Sequence, residues 1–264
     1  MNTYQRFIFE SYDFTAADRT IRLRYSLDSE IFFEERLVIG GTQPLNADHP
    51  DLDKALFALH LSGGPSYYKT YCPPEIEIKS GKLSKSEAKF WNTLYTYGLG
   101  EFYYRNKVDF RGLVNFPSAA SDKPSAEPPI HKPSRALVPF GGGKDSIVTT
   151  KILRRAGLDQ TLFRVRGHAL IDKLAGLEQL PLIQVERALP KELFHLNDSG
   201  AMNGHVPITA HISFLSIVVC LLLGFDSVFF SSERSSSYGN IEYLGIEVNH
   251  QWSKSNQFEQ MLRA

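Results

Sequence analysis

The stretch Arg135-Ala136-Leu137-Val138-Pro139-Phe140-Gly141-Gly142-Gly143-Lys144-Asp145-Ser146 decides the fold of this chain. Residues 136–140 are apolar and read as a buried strand, while residues 147–155 carry the spacing of an amphipathic helix. Between them, Gly141, Gly142 and Gly143 offer no side chains, so an anion can approach the backbone N–H groups. The helix that begins at Lys144 adds roughly half a positive charge at the same point. Strand, glycine turn and helix in that order form an anion-binding junction. Outward from it, residues 162–165, 182–185 and 228–231 read as further strands, and residues 144–156, 168–176 and 207–223 as helices. This alternation predicts an α/β fold: a parallel sheet with helices on both faces and ligands beyond the carboxyl ends of the strands.

Upstream the texture differs. Ile21, Leu23, Tyr25 and Leu27 alternate with Arg22, Arg24 and Ser26, a period of two. Asp28-Ser29 then supplies turn chemistry before Ile31-Phe32-Phe33 and Leu37-Val38-Ile39, which predicts an antiparallel hairpin. Pro50 opens a helix through Leu52, Leu56 and Leu59 that Gly63-Gly64-Pro65 ends. A short strand at 76–78 follows, and Ser84 with Glu87 makes a capping box ahead of Ala88, Trp91, Leu94 and Tyr95. Residues 1–116 are therefore expected to form a smaller α+β N-terminal domain. Residues 117–134, with Pro117, Pro124, Pro128, Pro129 and Pro133 among Ser and Ala, read as a linker. Residues 135–264 then form the α/β nucleotide-binding domain.

Composition narrows the function classes. At 264 residues, 42% hydrophobic and 22% charged, the chain builds a real core and is neither disordered nor fibrous. Its 29 Lys and Arg balance its 29 Asp and Glu, so no global field draws it to nucleic acid or an acidic membrane, and neither is expected as a partner. Cys72 and Cys220 form no CxxC pair, which excludes a zinc knuckle, a redox dithiol and a persulfide carrier. The first six residues lack the apolar run of a secretory signal. Residues 212–225, the most apolar run, would rise only about 21 Å as a helix against roughly 30 Å of hydrocarbon, so they predict a buried core helix. A cytoplasmic protein acting on a small molecule is the expectation, and nothing sets its oligomeric state. His60 and His131 read as surface or core fillers.

Two well-known phosphate loops do not fit residues 141–146. A Walker A loop needs glycine where Val138 stands and Ser or Thr where Asp145 stands; a dinucleotide loop starting at Gly141 needs Gly or Ala at Ser146. What remains resembles the loop of the ATP pyrophosphatase (PP-loop) family, Ser-Gly-Gly-x-Asp-Ser, with Gly141 in place of the first Ser. The resemblance implies an adenine nucleotide alpha hydrolase-like fold in which Gly141, Gly142, Gly143, Lys144, Asp145 and Ser146 bind ATP and release AMP and pyrophosphate. Asp145 supports this physically, because a carboxylate beside phosphates is repelled unless a cation such as Mg²⁺ lies between them. Asp145 is thus the expected metal ligand. The plain alternative is a glycine-rich turn with no ligand.

Three later segments should reach the ligand end of the sheet: residues 231–235, 197–205 and 249–255. Residues 141–146 and 203–210, Ser232-Glu233-Arg234-Ser235 with Ser237-Tyr238-Gly239, and residues 247–254 together look like the UDP-N-acetylmuramoyl-L-alanyl-L-glutamate epimerase (MurL-type) family. Ser66-Tyr67-Tyr68-Lys69, residues 97–102 and Tyr104-Arg105-Asn106 extend the resemblance over nearly the whole chain. It implies ATP- and Mg²⁺-dependent inversion of the terminal L-Glu of UDP-MurNAc-L-Ala-L-Glu to D-Glu in peptidoglycan precursor synthesis. Members of the family are longer, whereas this chain stops at Met261-Leu262-Arg263-Ala264 within an apparent helix. A C-terminally truncated chain that binds ATP with little turnover is the expectation.

The implied chemistry accounts for the nucleotide. Removing an α-proton beside a carboxylate creates two negative charges; an acyl-adenylate neutralises one and delocalises the other, and each pKa unit so gained is worth about 1.4 kcal/mol. A base then takes the proton and an acid returns it on the other face. His205 and His250 are the candidates, with Glu233 third. Arg234 and Lys254 would offset phosphate or carboxylate charge, and Asn203, Ser235, Asn249 and Trp252 would complete the substrate contacts. Another PP-loop adenylating enzyme, an amide-forming ligase or a tRNA-modifying enzyme, is the competing class; a nucleotide-binding module without turnover is the third. Neutral charge and the missing cysteine pair argue against tRNA thiolation.

Overall fold

The structure is a computed structural model that describes residues 4–119, 132–239 and 241–263. Its first three strands, β1 (Arg6–Thr15), β2 (Thr20–Leu27) and β3 (Ile31–Ile39), form an antiparallel meander. The β2–β3 turn works because Asp28 and Ser29 both take left-handed backbone angles, φ 51° and 58°, matching the twist of the flanking strands. As the alternation predicts, Ile21, Leu23, Tyr25 and Leu27 are buried. The opposite face carries a charge ladder in which Arg24 joins Asp13 and Glu34, and Arg22 joins Asp13 and Asp18.

Helix α1 (Leu52–Gly63) and the short α2 (Pro65–Tyr68) lead to β4 (Glu75–Ile78), which pairs parallel with β1. Helix α3 (Lys85–Gly98) starts at the expected capping box: Glu87 N–H donates to Ser84 Oγ at 3.2 Å, and Ser84 N–H donates to Glu87 Oε2 at 2.8 Å. Ser84→Ala should therefore cost about 1 kcal/mol in a urea titration, and an unchanged midpoint would rule the cap out as a contributor. Helix α4 (Gly100–Asn106) follows at once.

The second part of the chain gives β5 (Arg135–Pro139), α5 (Lys144–Arg155), β6 (Asp159–Val165), α6 (Ala169–Glu178), β7 (Leu182–Ala188), α7 (Lys191–Asp198), α8 (Ile208–Leu223) and β8 (Ser227–Val228). A hairpin of β9 (Ile241–Tyr243) and β10 (Ile246–Val248), then α9 (Asn256–Arg263), complete the described elements. Ala136, Val138 and Phe140 pack with Leu153 and Ala175 beneath α5 and α6, while Leu137 joins the larger core that holds Val218, Val219 and Leu222 of α8. Both faces of the parallel strands are thus covered. Helix α8 keeps Ser213 and Ser216 in the core by donating their hydroxyls to Thr209 O and Ile212 O, one turn back. Among the described residues no helix is long and apolar enough to cross a membrane.

The sheet differs from the expected one. Its order is β4-β1-β2-β3-β7-β6-β5-β8, eight strands in one mixed sheet, of which only the β7-β6-β5-β8 portion is the anticipated parallel array. Residues 36–39 of β3 pair antiparallel with residues 185–188 of β7, so the hairpin extends the same sheet. The physical reason is that β3 and β7 would otherwise both be open edges, and pairing them satisfies both rows of backbone groups. A buried ionic cluster crosses the same seam. Glu35 of β3 accepts from Arg187 of β7 at 2.7 and 3.0 Å and from Tyr67 OH at 2.7 Å, with His211 Nε2 of α8 at 3.2 Å. Most of the proposed linker, residues 120–131 with Pro124, Pro128, Pro129 and His131, lies outside the described residues.

Candidate functional site

From β5 the chain passes through α5 to β6 on one side, whereas β8 pairs on the other side of β5. The loops after β5 and β8 therefore diverge at a switch point, where open α/β sheets leave a crevice. The glycine loop sits there. Gly142 has φ +73°, and a Cβ on it would also lie 3.2–3.3 Å from Leu174 and Ile171, so the turn calls for glycine. A Cβ at Gly141 or Gly143 would meet nothing within 4 Å, which leaves the backbone open to a ligand. Gly143 is the N-cap of α5, whose first-turn N–H groups have no intrahelical acceptor. The Ser146 hydroxyl is buried and donates to Gly143 O at 2.8 Å, so its proton braces the turn.

The loop after β8 meets this turn from the far side. Lys144 Nζ lies 3.1 Å from Glu233 Oε2, and Ser231 Oγ donates to Thr149 Oγ1 at 2.8 Å. Glu233 holds the exposed Lys144 ammonium above its ordinary value, and Lys144, then Ser235, holds Glu233 below its own. Glu233 is thereby tied to Lys144 across the two loops, 3.1 Å apart, and in the sequence it stands away from both imidazole candidates. Asp145 is half-buried in the first turn of α5. Among the described residues no three His, Cys, Asp or Glu side chains gather into a metal cage. Asp145 is the carboxylate at this turn that could share a divalent cation such as Mg²⁺, an ion that keeps waters and takes one or two protein carboxylates.

A second group of loops adjoins the first. Arg234–Ser237 forms a 3₁₀ turn, and Ser236 Oγ lies 2.6 Å from Glu233 O and 2.9 Å from Lys254 O. Asn249 is buried; its amide donates to Ser236 O at 2.7 Å and accepts from Gln251 N–H at 2.8 Å. Trp252 is also buried, stacks on Tyr97 at 5.8 Å and donates to Gln257 Oε1. Of the substrate contacts expected from sequence, Asn249 and Trp252 are therefore committed to holding the segment that presents His250. Arg234, Ser235, Lys254 and Asn203 are exposed.

His205 and His250, 45 positions apart in the chain, come together with ring centroids 6.5 Å apart and planes at 84°. His205 is half-buried, and burial pushes its pKa below the usual 6.5; Glu101 opposes that push and His250 adds to it. The shift favours the neutral form of the imidazole. Gly204, at φ +151°, sets the loop close to Phe102 and Asn106, whose amide donates to Asn203 O at 3.2 Å. Lys69 enters from beneath: only 5% exposed, it donates through Nζ to Asn203 Oδ1, which also accepts from Gly204 N–H. Burial pulls its pKa down to about 8. Sequence reasoning gave Lys69 no role, because a lone lysine after two tyrosines has no spacing that points to a site.

Fold and site together define an α/β protein with a glycine loop at the switch point of its parallel strands and an imidazole pair in the adjoining loops. The chain belongs to the MurL family: all of it, residues 1–264, matches the family model described as the MurL N-terminal domain. It is 46% identical over 209 residues to the UDP-N-acetyl-alpha-D-muramoyl-L-alanyl-L-glutamate epimerase of Xanthomonas oryzae pv. oryzae, covering 79% of this chain and 46% of that protein. Epimerases of the same name from Salinispora tropica and a Micromonospora species are 36% and 35% identical, over 97% and 98% of this chain and 57% and 59% of theirs. The chain spans about half the length of the curated relatives it matches. No solved structure matches it.

Proposed function

We propose that this chain carries the nucleotide and proton-transfer sites of an ATP-dependent epimerase that inverts the terminal L-Glu of UDP-MurNAc-L-Ala-L-Glu through an acyl-adenylate, releasing AMP and pyrophosphate. The observation that carries the reading is the chain of contacts from the glycine loop through Lys144, Glu233, Ser236 and Asn249 to His250 and His205. It joins an anion-binding turn to a pair of proton carriers, the two capacities the reaction requires. Backbone N–H groups at residues 141–146 and the Lys144 ammonium would hold the phosphates, and Asp145 would share Mg²⁺ with them. Arg234 and Lys254, both exposed cations, would meet the negative charge that gathers during activation. His205 accepts the α-proton, and His250, approaching from a different direction, returns one.

Asp145→Asn should abolish the Mg²⁺-dependent part of ATP binding while leaving metal-free binding equal or tighter, because it removes the charge that needs the cation. Calorimetry in both buffers reads this directly, and identical affinities for both proteins in both buffers would remove Asp145 from the metal site. The reaction itself is tested by incubating the protein with UDP-MurNAc-L-Ala-L-Glu, ATP and Mg²⁺ in D₂O. Deuterium at the glutamate α-carbon, D-Glu on hydrolysis and equimolar AMP are expected of an intact family member, and ATP binding with little turnover of residues 1–264 alone. Amide formation with an unexchanged α-carbon would move the assignment to a ligase.

A further inference from the structure

We infer that Lys69 anchors the side-chain carboxylate of the substrate's terminal glutamate, leaving the α-carboxylate for activation. The inference rests on the function proposed above and adds a residue and a specificity to it. Lys69 Nζ has three N–H donors, and among the described residues its one hydrogen-bond partner is the neutral Asn203 Oδ1; no carboxylate pairs with it. An ammonium so deeply buried without a counter-charge is costly, by several kcal/mol for an unrelieved ion, so the site favours either loss of the proton or arrival of an anion.

Asn203, whose Oδ1 receives this ammonium, is an exposed residue, so the contact lies at the edge of a solvent-facing loop. Two residues further on, His205 faces His250. A carboxylate held at Lys69 therefore brings the carbon chain attached to it towards the imidazole pair. Size and charge favour a carboxylate over a phosphate. Cys72, buried beside Lys69, and Phe102, buried beside Gly204, make the surroundings largely apolar, and one ammonium with one amide neutralises a monoanion but leaves a dianion half-compensated. The phosphates have their own donors at the glycine loop.

The test follows the Lys69 side chain itself. Reductive ¹³C-methylation of the lysines gives a Lys69 resonance, assigned by its absence in Lys69→Met, that should titrate near 8. Adding UDP-MurNAc-L-Ala-L-Glu should raise that midpoint by about one unit, as a new negative partner must. The corresponding L-Ala-L-Gln compound and inorganic phosphate should leave it in place. By calorimetry, Lys69→Met should weaken the glutamate compound at least tenfold and the glutamine compound less than twofold. A resonance that ignores the glutamate compound in a wild-type protein that binds it overturns the inference alone, and so does equal affinity in wild type and Lys69→Met. A resonance moved equally by inorganic phosphate also overturns it. A wild-type protein that binds neither compound overturns the proposed function together with this assignment. The resonance is read in the wild-type fold, so instability of the variant does not mask the answer.

Discussion

Glu35→Ala is expected to lower folding stability by about 3–5 kcal/mol, because it strands Arg187 as an uncompensated charge inside the protein. Glu35 is fully buried and Arg187 nearly so, and the carboxylate serves two Arg187 hydrogen bonds, the Tyr67 hydroxyl and His211. At roughly 2–4 °C per kcal/mol for a chain of this size, the melting temperature should fall by about 6–20 °C. A loss below 1 kcal/mol would mean that the cluster is paid for by its own desolvation. Acid should act through the same residues. Burial alone would raise the Glu35 pKa, but Arg187 and His211 overcome it and hold the carboxylate far below its usual 4.5. Burial, then Arg187, holds His211 below 6.5. Both groups bind protons more readily in the unfolded chain, so both contributions are present above their unfolded values and are lost as pH falls. Stability should decline from about pH 6.5 downward and more steeply below 4.5, with the second step missing in Glu35→Ala.

In an intact family member, His205→Ala should reduce deuterium uptake at the substrate α-carbon by roughly 10² to 10⁴, the range of a lost general acid or base. The His250→Ala loss should be of similar size but of opposite direction preference. If the two imidazoles serve opposite faces, one variant fails to exchange the L substrate and the other fails to exchange the D product. The pH profile gives a second reading. Burial lowers the His205 pKa, so exchange from the side it serves should rise with pH through a value below 6.5 and stay level through neutrality. Full exchange in His205→Ala would remove this residue from proton transfer.

Much of this arrangement is legible in the sequence because it depends on near neighbours. The strand, glycine turn and helix at 135–155 lie within twenty-one residues, and the capping box at Ser84 spans four. Local spacing carries such features directly. The sequence does not mark strand β1, because Glu10, Ser11 and Asp13 break its apolar run, although its first part, Phe7 to Phe9, is fully buried on both faces. The β3–β7 pairing was illegible for another reason: β3 alternates as an edge strand does, and its Glu35, at a buried position, gives no hint that Arg187 awaits it. Asn249 and Trp252 looked like binding residues by type, but tertiary contacts with Ser236 and Tyr97 absorb them. The pairing of His205 with His250 was anticipated only as a convergence of loops, since the distance between them depends on α3, α4 and the β9–β10 hairpin.

The seam between β3 and β7 also governs the order in which the chain can fold. Val38 and Glu186 are partners across it, 186 − 38 = 148 positions apart, whereas β1–β3 and β5–β7 assemble largely from contacts within a few tens of residues. Closing the longer loop carries the larger entropy loss and brings no reward until both halves already present their edges. The two halves should therefore form first and dock afterwards, with the seam absent from the earliest barrier. On that order, weakening Glu35 or Arg187 accelerates unfolding far more than it slows initial refolding. Stopped-flow traces with equal effects on both limbs would show instead that the seam nucleates the sheet.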